Sequence, residues 1–261
     1  QICHDFDTAY FDETFFQHLL SFQGIDNEID SQIVLIFNYL YLTLPEYPSF
    51  LIQCTKIIFQ NASFHIYFNC AQLFNTVSNK IPDFFADPQL INVFNTIFIK
   101  SKDRCQLRTC TLLLDSLISV PYSTSCHYID NSIKGFIADS IVQSATIYVS
   151  VQQESFENSE MVSIQLLNYL LENDGDTYIN IFFNQEEYDL LDHLISIMEN
   201  QAFSIREIAC STFLFFTKTI VQTENNSIFM RFVESSKFPN QFATLITLSL
   251  NIDDITLRNS L

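Results

Sequence analysis

The residue pattern predicts an all-α fold, and three observations carry that prediction. Apolar residues recur at i, i+3, i+4 and i+7 spacing along nearly the whole chain, the signature of amphipathic helices. Only 3 Gly and 6 Pro stand among 261 residues, too few for the turns of a β-sandwich or barrel. The chain is also 48% hydrophobic and only 16% charged, enough to bury a large core and the opposite of a disordered composition. The 27 Phe and the absence of Trp point to phenylalanine as the main filler of that core.

Taken in chain order, the helices are expected in pairs. Residues 10–22 come first, then NEIDSQIVLIFNYLYLT at 27–43, whose greasy run is interrupted by Asn38 and stopped by Pro45-Glu46. The next pair is 49–60 and ASFHIYFNCAQLFNTVS at 62–78, followed by 88–101 and DRCQLRTCTLLLDSLIS at 103–119. Residues 129–147 precede SEMVSIQLLNYLLEN at 159–173. Asp174-Gly175-Asp176 then opens a short segment, 177–184, and acids cluster where the following helix starts, at the favourable end of its dipole. That helix, 186–200, places Tyr188, Leu191, Leu194, Ile195 and Met198 on one face. Residues 202–220 do the same with Ile205, Ile208, Ala209, Thr212, Phe213 and Phe216. Helices at 239–250 and from 252 complete the series.

The second member of each pair begins its core at Ile29, Ile66, Leu107, Val162, Ile205 and Leu257. Their mean spacing is about 46 residues, inside the ~40–47 period of helical-repeat arrays. The two long intervals imply insertions near 149–158 and 222–226. No single trio can bury all its apolar faces, so stacking on neighbours is required.

Residues 174–220, with a short, a second and a long third helix, resemble one armadillo repeat. Leu107-Arg108, Ile205-Arg206-Glu207-Ile208-Ala209 and Leu257-Arg258 resemble the apolar-basic start common to armadillo and HEAT helices. This resemblance implies a right-handed α-solenoid of about six armadillo-like repeats, forming a single domain over 1–261. It further implies third helices that line a concave groove for a protein partner. Armadillo adaptors that hold extended peptides carry Trp and Asn ladders there. In this register the Trp positions are Leu35, Gln72, Leu113, Asn168 and Ser211, and the Asn positions are Tyr39, Thr76, Leu117, Glu172 and Phe215. Neither ladder is present, which argues against nuclear-import-signal binding of that kind. The partner-binding residues expected on the groove are Tyr39, Gln72, Thr76, Asn168, Glu172, Ser211 and Phe215. The start at Gln1 and the end one turn into an apolar helix lead us to expect a segment of a longer protein.

Charge narrows the partners. The net charge is −18. Residues 1–55 hold 8 acids and residues 135–205 hold 12, neither with a Lys or Arg. Such a chain repels phosphate backbones and anionic bilayers, so nucleic acid and membrane are disfavoured. The acids either solubilise the surface or attract a basic protein or peptide. One dense basic group stands apart: Lys100, Lys102, Arg104 and Arg108. It either docks an acidic motif or phosphate, or pairs with acids on neighbouring repeats.

Catalysis is not expected. No zinc-protease helix, nucleophile elbow, phosphate loop or dinucleotide fingerprint occurs. Asp174-Gly175-Asp176 lacks the later oxygen ligands and the central Gly of a calcium loop, so it reads as a turn. Cys3-His4 and Cys126-His127 have no second half-site for zinc. No metal, cofactor or small-molecule substrate is therefore expected. The 7 Cys are odd in number, without a Cys-x-x-Cys, and read as reduced, mostly buried thiols of an intracellular protein, cytoplasmic or nuclear. The best functional expectation is a non-catalytic scaffold or adaptor. The alternatives are a fragment of a nuclear transport receptor and the helical regulatory region of a larger enzyme or enzyme complex.

Overall fold

The computed structural model describes residues 12–146, 154–183, 190–200, 203–223 and 230, and among these there is no strand. The helices are α1 (Glu13–Ser21), α2 (Asn27–Thr43), α3 (Ser49–Gln60), α4 (Tyr67–Lys80), α5 (Pro88–Asp103), α6 (Leu107–Ile118), the single turn α7 (Tyr122–Ser125), α8 (Asn131–Thr146), α9 (Glu154–Phe182), α10 (Leu191–Asn200) and α11 (Phe203–Thr223). The helices expected at 239–250 and 252–261 lie outside the described residues, as does Cys3. No helix among the described residues is long and apolar enough to cross a membrane.

Local chemistry sets the helix starts. Asp12 and Asp26 cap α1 and α2, their carboxylates accepting the Phe15 and Glu28 N–H groups at 2.8 and 2.7 Å. Asp87 caps α5 by accepting from the Gln89 N–H at 3.0 Å, with Pro88 in the first helical position, where its missing donor costs nothing. Helix α4 starts later than its apolar pattern suggests, because residues Phe64–Ile66 form a 3₁₀ turn. A second 3₁₀ segment, Pro82–Ala86, leads into α5. Helix α9 breaks at Asp174 (φ −148°, ψ 63°), which separates a long first part from a short last one and matches the turn read from Asp174-Gly175-Asp176.

The chain divides into two compact units, Gln1–Asp130 and Asn131–Leu261. In the first, α1 packs on α3 and α3 on α5, α2 on α4 and α4 on α6, and α5 also packs on its successor α6. The phenylalanines join these layers. Phe59 of α3 stacks on Phe74 of α4 at 3.8 Å between ring centres, and Phe74 meets the edge of Phe94 of α5 at 5.5 Å. Tyr128 closes the core, donating its hydroxyl to the Phe85 carbonyl at 2.8 Å. In the second unit α9 packs on α11 and α8 on α10, and the sequential neighbours α8 and α9, and α10 and α11, pack on each other as well. Its centre includes Phe183 against Phe216 at 4.4 Å. Gly175 lies where a Cβ would stand 2.6 Å from both Cγ2 and Oγ1 of Thr219, so only glycine permits this approach of α9 to α11.

Candidate interaction face

In the first unit, the outward side of the even helices forms a polar seam. Side chains bridge α4 and α6 at a constant separation of 40 residues. Asn75 Nδ2 donates to Asp115 Oδ2 at 2.7 Å, and Ser119 Oγ donates to Asn79 Oδ1 at 3.0 Å. At the other end the Arg104 guanidinium lies 3.8 Å from the centre of the Phe64 ring, and that of Arg108 lies 5.6 Å from Phe68. A constant separation requires the two helices to run parallel and in register. Towards α2 the seam continues through Asn69, which donates to the Ser31 hydroxyl.

Beside the seam lies an apolar surface. Of the ten exposed large apolar side chains among the described residues, seven fall within residues 22–42, and Ile29, Leu35, Ile36, Tyr39 and Leu42 all stand on α2. Its other face is buried through Ile33, Val34, Phe37, Leu40 and Tyr41. Helix α2 thus presents apolar side chains on its uncovered side as well, interspersed with Glu28 and Gln32, whereas the outward face of α4 carries amides and hydroxyls.

The residues expected on the groove divide between the units. Tyr39 is exposed, and Gln72 and Thr76 are half-buried on the outward side of α4. In the second unit Glu172 is exposed, while Asn168, Ser211 and Phe215 are half-buried. The Lys218 ammonium stands 6.0 Å over the Phe215 ring. The register fails at two places. Ile29, read as the first core residue of its helix, is 38% exposed, and the ladder positions Leu113 and Leu117 are fully buried. Arg108, Thr111, Asp115 and Ser119 occupy the outward side of α6 instead. A two-residue slip reverses a helix face, and α6 offers apolar residues on both sides of the true boundary. The bridges between α4 and α6 escaped the sequence reading. Their signal was present: the i, i+4 pair Phe64/Phe68 recurs 40 residues later as Arg104/Arg108.

A concavity of about 440 Å³ lies at the start of α2, lined by Gly24, Ile25, Asp26, Asn27, Asp30, Asn61 and Ser63. Asp30 is 7% exposed and accepts the Gly24 N–H at 2.7 Å. That bond holds the α1–α2 turn, where Gly24 takes φ 85°. No group of three or more metal-ligating side chains occurs among the described residues.

No family model, curated protein or solved structure matches this chain. The site is therefore read from its own chemistry. Among the described cysteines, Cys54, Cys70, Cys110 and Cys210 are buried, Cys126 is half-buried and Cys105 is exposed, and none of them forms a disulfide. Burial raises the thiol pKa of Cys54, Cys70 and Cys110, which suppresses the thiolate and suits packing rather than nucleophilic work.

Proposed function

We propose that this chain is a non-catalytic protein-binding scaffold, an armadillo-like α-solenoid whose even-numbered helices present the binding face. The observation that carries the reading is the apolar surface of α2, with Leu35, Tyr39 and Leu42 exposed beside the amide seam of α4. An exposed apolar patch of this kind costs solubility unless a partner covers it. The neighbouring amides would pair with the polar backbone of an extended segment while the apolar side chains anchor it. Two features support the repeat reading: the 40-residue separation of the α4–α6 bridges, and the short-helix, helix, long-helix order of residues 175–223.

Photo-crosslinking in cells tests it. A benzophenone side chain at position 39 is expected to form adducts with a second protein that disappear in Leu35→Asp/Leu42→Asp. The same probe at Thr96, exposed on α5, should form none. Equal yields at the two positions, or adducts only with a second copy of this chain, would overturn the reading.

A further inference from the structure

The basic group around the α5–α6 junction is separate from the apolar surface of α2 and asks for a different ligand. Its four cations are not spent inside the molecule. Lys100, Arg104 and Arg108 are exposed and Lys102 is half-buried. Among the described residues the one salt bridge is Lys56–Asp87, so none of the four is neutralised by a carboxylate. Between residues 100 and 108 the sole acid is Asp103.

The two arginines are pre-positioned. Each guanidinium lies over a phenylalanine ring, Arg104 on Phe64 and Arg108 on Phe68. Phe64 lies in the 3₁₀ turn before α4 and Phe68 in the first turn of α4; 40 residues on, Arg104 is the residue that ends α5 and Arg108 lies in the first turn of α6. A ring covers the face of a guanidinium but leaves its N–H donors, which radiate in the plane, free to meet an oxyanion in fork geometry. The backbone holds this arrangement. Cys105 takes φ 56°, and the Cys105 and Gln106 N–H groups donate to the Lys102 and Ser101 carbonyls, both at 2.9 Å. This left-handed cap ends α5 and allows α6 to begin two residues later. Arg108 then sits in the first turn of α6, where no acid stands and no side chain caps the helix. A cation at the positive end of a helix is unfavourable unless an anion joins it.

We propose that the α5–α6 junction binds a phosphate monoester carried by a peptide segment, with Arg104 and Arg108 as the oxyanion fork and Lys100 and Lys102 adding charge. Charge favours this ligand over the other anions. A nucleic acid or an anionic bilayer spreads its negative charge widely and meets the −18 of the whole chain. A phosphate concentrates up to two charges at one point, which suits a compact basic group lying within nine residues of sequence, Lys100 to Arg108. The site is open, so a free small anion gains only those contacts, whereas a peptide adds flanking ones.

The test uses the full 261-residue chain and a neutral peptide of glycine and alanine with a central phosphoserine, followed by calorimetry and amide shifts at Leu107 and Arg108. The phosphorylated peptide should bind about tenfold tighter than the same peptide bearing serine or glutamate, and tighter than inorganic phosphate. Arg104→Gln/Arg108→Gln should lose about tenfold, and Arg104→Lys/Arg108→Lys, which keeps the charge, about threefold. Lys80→Gln, at the far end of α4, should change nothing. Thermal melts by circular dichroism verify each fold, and if the glutamine pair does not fold, the lysine pair and the peptide series still decide. Equal binding of the glutamate peptide, undiminished binding by the arginine variants, or shifts confined elsewhere would refute the site. Inorganic phosphate binding as tightly as the peptide would remove the peptide, and tight binding to phosphatidylserine vesicles at physiological salt would replace it with a membrane.

Discussion

Cys105 concentrates two kinds of chemistry in one residue. Its φ of 56° is a conformation that costs an L-residue roughly 1–2 kcal/mol, and glycine is the usual occupant of such a helix cap. After allowing for the extra unfolded-state freedom of glycine, Cys105→Gly should raise stability by about 0.5–1 kcal/mol. A urea midpoint that stays or falls would show that the cap is not strained. The same substitution should abolish the fastest phase of thiol labelling among the described cysteines, because Cys105 is exposed while Cys54, Cys70, Cys110 and Cys210 are buried. Burial pushes the Cys110 thiol up to about 12, against a smaller opposing pull from Lys102. A thiol whose folded pKa lies above its unfolded value stabilises the fold fully below the unfolded value, near pH 9, and loses that contribution as pH climbs towards 12. The urea midpoint should therefore decline above about pH 9, and less steeply in Cys110→Ala. Parallel declines in the two proteins would place the alkaline loss elsewhere, for example at the buried Tyr41 and Tyr128 hydroxyls, which burial also shifts upwards.

Among the helices, α5 and α9 show what was readable in the residues and what was not. The helix expected at 88–101 matches α5, but Lys56, 31 residues away, could not be paired with Asp87 from sequence. The pair is 2.6 Å apart, and the hydrogen bond from Lys56 holds the Asp87 carboxyl below the usual carboxylate range, helped by the Gln89 N–H. Asp87→Ala should cost about 1–2 kcal/mol by removing cap and pair together, and Asp87→Asn, which keeps the cap, under about 1 kcal/mol. Because the folded pKa is depressed, this contribution is present above about pH 4 and fades as pH falls below it, so the asparagine variant should show a flatter acid limb. In α9 the glycine was legible only as a turn. Its closeness to Thr219 depends on how α9 meets α11, which local spacing does not encode. Gly175→Ala should destabilise by about 1–3 kcal/mol through overpacking, and adding Thr219→Ala should restore at least half; additive losses in a double-mutant cycle would deny the contact. The same limit explains the groove residues. Helical periodicity located α2, α4 and α6, yet the outward side of α6 was missed by two residues. Leu107, Leu112 and Ile118 blur the apolar boundary there, and only packing on α4 decides which leucines go inside.

At the scale of the whole chain the charge is lopsided in both units: 13 acids against 6 Lys and Arg in residues 1–130, and 17 against 6 in residues 131–261. Such a field does not hold the fold together; it acts on whatever approaches. If it steers a partner, the effect belongs to the association rate, whereas Leu35, Tyr39 and Leu42 act after contact and belong to the dissociation rate. Salt separates the two. The screening length is ~30 Å at 0.01 M and ~8 Å at 0.15 M ionic strength, so the field reaches beyond the surface at low salt and is confined to it at physiological salt. An apolar peptide flanked by lysines should therefore associate at least about tenfold faster at 0.01 M than at 0.15 M. Its counterpart flanked by serines should show little change, and the two should converge at high salt. Leu42→Asp should accelerate dissociation of both peptides while leaving the salt dependence of association in place. Stopped-flow traces decide the matter. A lysine-flanked peptide whose association ignores salt would reduce the acidic surface to a solubilising one and leave the apolar face of α2 to account for binding alone.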